Sequence, residues 1–147
     1  MMATVEKILN NKGSTVWYVS PDVTVYDAIK EMDSKGVGAL PVVVNDKLVG
    51  IISERDYARK IILNNRSSKE TLVKEIMSAR VFHTFPGQQV VECMAVMTEH
   101  HIRHLPVITD GKLTGMISLG DVVKEIISEQ QFKIEQLEHT ISWEESY

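Results

Sequence analysis

The chain has 147 residues, 44% of them hydrophobic and 24% charged, with a net charge of −4 at pH 7. That size and balance suit a soluble globular protein of one ordinary domain or two very small ones, with enough apolar material for a proper core. The net charge gives no general pull toward nucleic acid or anionic lipid, the single cysteine, Cys93, excludes an intramolecular disulfide and a multi-cysteine metal site, and no stretch approaches the ~18 apolar residues of a membrane span.

Met1 to Asn11 is mixed polar without a continuous apolar core, so no signal peptide is expected and the cytoplasm is the default compartment. Trp17 to Val19 predicts a short strand running into Pro21. Thr24 is placed as an N-cap, Val25, Ala28, Ile29 and Met32 follow at helical spacing, and Gly36 stops the helix. Two apolar runs come next, Leu40 to Val44 and Lys47 to Ser53, joined by the polar pair Asn45-Asp46 as in a hairpin. A further helix begins near Ser53, so the order is β-α-β-β-α. The polar stretch Asn64 to Thr71 reads as a linker, with Ser67 and Glu70 spaced to start a short helix over Thr71 to Met77.

The same order then returns. A strand is expected at Val81 to His83, and a helix carries Val90, Cys93, Met94 and Met97. The hairpin turn is now Asp110-Gly111, and a helix starts near Ser118. Leu40-Pro41-Val42 recurs as Leu105-Pro106-Val107, and Lys47 to Ser53 recurs as Lys112 to Ser118. Pro21 matches Pro86 and Asp56 matches Asp121, every pair 65 residues apart. Upstream, after a short gap, Val5, Ile8 and Leu9 match Val73, Ile76 and Met77. The fold expected is α/β of α+β type: two β-α-β-β-α subdomains, residues 1–66 and 67–128, related by a pseudo-twofold and packed sheet to sheet over one shared core. From Asp121 to Ile141 there is no Gly or Pro, and Val123, Ile127, Ile134, Leu137 and Ile141 make a stripe interrupted by Gln130. Residues 129–147 are therefore read as a helical extension, either a lid or a contributor to a homodimer.

Ser53 and Asp56, like Ser118 and Asp121, stand where a strand runs into a helix. The spacing is that of a capping box. A helix N-terminus also offers free N–H groups and a positive dipole end to a phosphate, and an Asp there suits the two hydroxyls of a ribose. Arg55, in the first turn, is on the wrong side of the macrodipole unless an anion binds beside it, and Gly120 replaces it in the second copy. Arg59 and Lys124 occupy equivalent places one turn on, as phosphate contacts or as partners of the Asp three residues before. His100, His101 and His104 lack the acidic or cysteine partners that a metal site needs, and no metal is expected. No P-loop, nucleophile elbow or nucleophile–base pair is spaced for catalysis.

The duplicated Leu-Pro-Val, followed by Gly-Ile-Ile-Ser-Glu-Arg-Asp and Gly-Met-Ile-Ser-Leu-Gly-Asp, resembles the paired cystathionine-β-synthase (CBS) domain, or Bateman module. More narrowly the chain is similar to small two-CBS proteins of bacteria and their plant organellar relatives. The resemblance covers about Val5 to Ile127. It implies a regulatory module without catalytic machinery, binding an adenosine-containing nucleotide in the cleft between the repeats. AMP leads, with ADP, ATP, NAD and S-adenosylmethionine as the other candidates. It assigns the ribose to Asp56 and Asp121, beside Ser53 and Ser118. It implies phosphate contacts from Arg103 and His104, just ahead of Leu105-Pro106, with Gly38 and Ala39 as their counterparts. It also implies adenine contacts from the strands near Val16 and Val81, whose apolar character suits ordinary strand burial equally. CBS pairs commonly assemble in twos, and the regulated partner protein stays unnamed. A scaffold whose ligand sites are vestigial is the competing class.

Overall fold

A computed structural model describes residues 2–145, with side-chain surroundings through residue 140. In chain order the elements are α1 (Val5–Lys12), α2 (Val25–Lys35), β1 (Ala39–Val44), β2 (Lys47–Ser53) and α3 (Glu54–Asp56), which continues as a π-helix, Tyr57–Ile62. There follow α4 (Val73–Ile76), α5 (Val90–His100), β3 (His104–Thr109), β4 (Lys112–Ser118) and α6 (Leu119–Glu145). The sheets are two separate hairpins, β1-β2 and β3-β4. The mixed α/β fold and the long last helix agree with expectation. The side chain of Ile141, last in the predicted stripe, lies outside the described ones.

The chain divides into two compact units, one of residues 1–14, 84–107 and 116–147, the other of residues 15–83 and 108–115. Each unit takes its leading helix from the other repeat: α1 belongs with α5 and α6, and α4 belongs with α2, β1 and β2.

In the unit of residues 15–83, Thr24 Oγ1 accepts the Asp27 N–H as the predicted cap of α2, and Gly36 ends the helix at φ 67°. Val25, Ala28 and Met32 turn into a core with Leu40, Val42, Ile52 and Ile61, and α4 closes it with Val73 and Ile76. The turn of the β1-β2 hairpin has left-handed φ at both Asn45 (50°) and Asp46 (65°), the geometry that matches strand twist. Gly50, in β2, is fixed by close approach, since a Cβ there would stand 2.5 Å from Met77 Sδ and 3.1 Å from the Ser78 carbonyl. The short helix α4 starts two residues later than predicted. Its cap is the Glu75 carboxylate on the Leu72 N–H at 2.7 Å, and Ser67 serves instead as a turn, its carbonyl accepting Thr71 Oγ1 at 2.7 Å. The backbone hydrogen bond from Leu72, above all, holds the Glu75 carboxyl below its ordinary value.

The predicted strand Trp17–Val19 contracts to one bridge, Val19 to Val42, parallel. Val19 donates to the Pro41 carbonyl at 3.0 Å and accepts from the Val43 N–H at 3.0 Å. Extending that ladder back to Trp17 needs an N–H from residue 41, and Pro41 has none. Pro106 imposes the same limit in the second repeat. There the bridge falls at Thr84 to Val107, one residue past the predicted Val81–His83 strand.

In the unit containing α6, the buried core includes Val5 and Ile8 of α1, Val90, Cys93 and Met97 of α5, Leu105, Val107 and Ile117 of the hairpin, and Val122. The first free N–H groups of α1 are taken by the Gln88 and Pro86 carbonyls, at 2.9 Å each. Cys93 is fully buried beside Thr84 Oγ1 at 3.4 Å, and burial pushes its thiol pKa up. It is a core residue rather than a reactive one.

Candidate functional site

The two Ser-x-x-Asp corners are built alike. Ser53 Oγ accepts the Asp56 N–H at 3.2 Å, and Asp56 Oδ2 accepts the Ser53 N–H at 3.0 Å. Ser118 Oγ accepts the Asp121 N–H at 3.1 Å, and Asp121 Oδ2 accepts the Ser118 N–H at 2.8 Å. Both are reciprocal capping boxes, as the spacing predicts. The residue ahead of the hairpin also closes onto the corner: the Gly38 carbonyl accepts the Glu54 N–H at 3.0 Å, and the Arg103 carbonyl accepts the Leu119 N–H at 2.8 Å. Buried Ala39 pairs across the sheet with Ser53.

The second carboxylate oxygen separates the corners. Asp56 Oδ1 is paired with Lys60 Nζ at 3.1 Å, and the same ammonium donates to the Ile76 carbonyl at 2.7 Å. At Asp121 the outside partner is Lys12 Nζ, 2.7 Å from Oδ2 and 3.0 Å from the Met116 carbonyl. Oδ1 of Asp121 has no hydrogen-bond partner among the described residues. Burial works to raise the Asp121 pKa, but Lys12 and the Ser118 hydrogen bonds outweigh it and hold the carboxyl below its ordinary value.

Beside the second corner lies an open groove of about 610 Å³ at the start of α6. Arg103, His104, Ser118 and Lys124 give it polar and cationic groups, and Leu119, Val123 and Ile127 give it an apolar wall. Gly120, the counterpart of Arg55, also lines it and adds no side chain at that position of the first turn. Arg103 is exposed and His104 half-buried. Burial, more than the nearby Lys12 and Arg103, lowers the His104 pKa, against the opposing pull of Asp121. Asp121 itself is not among the lining residues; its carboxylate is turned to Ser118 and Lys12.

Of the predicted residues, Arg103, His104, Ser118 and Lys124 thus meet around one groove, with Asp121 bonded to Ser118 behind it. Pro106 is buried within β3 and is not among the residues that line the groove. Around the first corner, Ser53, Asp56, Gly38 and Ala39 come together, while Arg55 and Arg59 stand exposed on the short helix that follows. Lys60, four residues after Asp56, takes the carboxylate in place of Arg59. Val16 and Val81 are half-buried. Val81 follows Ser78, which exchanges two backbone hydrogen bonds with Ile51 at 2.9 and 3.0 Å, so the start of the second repeat runs beside the strand that leads to Ser53.

Lys12 is the residue that sequence reasoning missed. A signal existed. Asp121, Glu125 and Glu129 lie at i, i+4 and i+8 on α6, and they meet Lys12, Lys7 (3.0 Å from Glu125 Oε1) and the Ala3 N–H (3.4 Å from Glu129 Oε2) in reverse order. Among the described residues no three His, Cys, Asp or Glu side chains converge as metal ligands, and no helix is long and apolar enough to cross a membrane.

Two repeats, each a helix followed by a hairpin that turns into a second helix through a Ser-x-x-Asp corner, define a tandem α/β-repeat protein. The chain belongs to the CBS-domain family, whose model matches it twice, over residues 12–63 and 73–128. It is 42% identical over 144 residues to the mitochondrial CBS domain-containing protein CBSX3 of Arabidopsis thaliana, covering 91% of this chain and 69% of that one. A solved CBS-domain structure from Burkholderia ambifaria, described as a signal-transduction protein, superposes with a TM-score of 0.84 at 54% identity, covering 87% of this chain and 96% of the other. The CBS domain pair of protein MJ0100, solved with 5′-methylthioadenosine and S-adenosyl-L-methionine, shares the fold at a TM-score of 0.74 and 21% identity, over 88% of this chain and 99% of that one.

Proposed function

We propose that the chain is a non-catalytic regulatory module that binds an adenosine-containing nucleotide at its strand-to-helix corners, with AMP the leading ligand, and signals through a change of shape or of partner affinity. The observation that carries this reading is the groove at the start of α6. It combines two cations and a histidine for phosphate, a glycine in the first turn and an apolar wall for a purine, and behind it Asp121, bonded to Ser118, keeps one carboxylate oxygen without a hydrogen-bond partner among the described residues. Bound adenosine derivatives in MJ0100, a protein of the same fold, support the ligand class. The second reading, a scaffold with vestigial sites, is favoured only at the first corner, where Ser53 and Lys60 occupy both oxygens of Asp56. The sites are therefore unequal, the second stronger for nucleosides. We also propose that the chain acts as a homodimer in the cytoplasm; the plant relative is mitochondrial.

Calorimetry with AMP, ADP, ATP, NAD and S-adenosylmethionine tests the assignment on the wild type, Asp56→Ala and Asp121→Ala. The expected result is loss of the tighter site in Asp121→Ala and a smaller change in Asp56→Ala. Wild-type binding by both variants leaves the carboxylates as helix caps and nothing more.

A further inference from the structure

Residues 130–140 of α6 are all exposed, and they lie beyond residue 128, where the family match stops. A helical segment that makes no use of its apolar side chains within its own chain has its partner elsewhere. Ile127 is 62% exposed, Ile134 47% and Leu137 64%. Their spacing, continued in sequence by Ile141, alternates three and four once Gln130 is included, which is the seam of a heptad repeat.

We propose that the segment from Ile127 to Ile141 of two copies forms a parallel, in-register, two-stranded coiled coil. This rests on the homodimer reading above and adds its geometry. Isoleucines at 127, 134 and 141 fall on the a position and Leu137 on d, the β-branched and γ-branched arrangement that selects two parallel strands. Gln130, the one polar seam residue between them, carries both donor and acceptor and so pairs with its own copy when the helices run in parallel. Lys133 falls on g and Glu138 on the following e, so each Lys133 meets the partner's Glu138, twice by symmetry. An antiparallel pairing that overlaps the same apolar residues sets Gln130 against Ile141 and Lys133 against Thr140, losing both matches. The present partner of Lys133, Glu129 on its own helix, lies at a long 3.6 Å, and Glu129 keeps the Ala3 N–H as a second partner, so the half-exposed ammonium can turn away. Glu138 has no ion partner among the described residues.

The test uses the full chain, in which buried Cys93 stays silent. Under mild oxidation, Leu137→Cys is expected to form a disulfide-linked dimer, while Gln136→Cys, one residue off the seam, and the wild type do not. In sedimentation equilibrium, Lys133→Glu is expected to weaken association about tenfold by turning two attractions into repulsions, and Lys133→Glu with Glu138→Lys to restore it. Equal cross-linking at 136 and 137, or a dimer indifferent to Lys133→Glu, overturns the coiled coil while leaving the homodimer standing. A monomer at micromolar concentration overturns both.

Discussion

Asp56 and Asp121 hold the same register position, and one lysine makes the difference between them. Lys60 comes from the same helix, four residues on, and Lys12 comes from the far end of the chain. Both pairs are partly exposed, so each contributes at most about 1 kcal/mol to folding. On the proposed reading their weight falls on which oxygens remain for a ligand. His104 is the groove residue whose titration is shifted. Its folded pKa lies below the ordinary 6.5 because burial disfavours the imidazolium. On the proposed nucleotide reading, the gain in phosphate affinity from its protonation begins below pH 6.5, and titration calorimetry from pH 7.5 to 5 should show it there. The same shift has a stability cost of definite sign: the contribution of neutral His104 is complete above 6.5 and declines as pH falls below it. Gly50 admits a sharper test. Gly50→Ala forces a Cβ against Met77 Sδ and the Ser78 carbonyl and should destabilise the fold by about 1–3 kcal/mol. Adding Met77→Ala should recover part of that in thermal melts, but not the part owed to the fixed carbonyl.

At the scale of elements, the exchange of leading helices decides what can fold. The core of residues 15–83 needs Val73 and Ile76 of α4, while α1 buries Val5 and Ile8 in the other unit. A fragment of residues 1–68 thus loses α4 and keeps α1 without its partners. It should show no cooperative melt by circular dichroism; a cooperative, monomeric transition would refute the claim. Much of this was legible. The 65-residue period exposes the duplication, and Thr24, Gly36 and Asp110-Gly111 announce local geometry because each acts on its own backbone. The exchange itself was hidden, since the apolar positions of α1 and α4 say that they are buried but not where. The third strand was overread because apolar Trp17–Val19 looks like a strand, whereas the limit is written in Pro41, on the neighbour it would pair with. At the site, Ser53, Asp56, Ser118 and Asp121 were legible as local boxes, whereas Lys12, 109 residues from its partner, is signalled only by the spacing of the acidic residues on α6.

At the scale of the whole molecule, ligand and fold are one equilibrium. A nucleotide that binds only the folded chain should add about 2.7 kcal/mol of stability at one hundred times its dissociation constant, and thermal melts with AMP should rise accordingly in the wild type but much less in Asp121→Ala. The acidic ladder of α6 extends this linkage to the start of the chain. On the proposed reading, a ribose that engages both oxygens of Asp121 competes at Oδ2 with the ammonium of Lys12, the last residue of a segment also tied at Lys7 and Ala3 to the next two rungs. Any binding that loosens Lys12 loosens the hold on residues 3–12, and by reciprocity any force that draws those residues away raises the affinity of the corner by the same factor. Segment and carboxylate are then the two arms of a lever, and acetylation that strips Lys12 of its charge would move it with no nucleotide present.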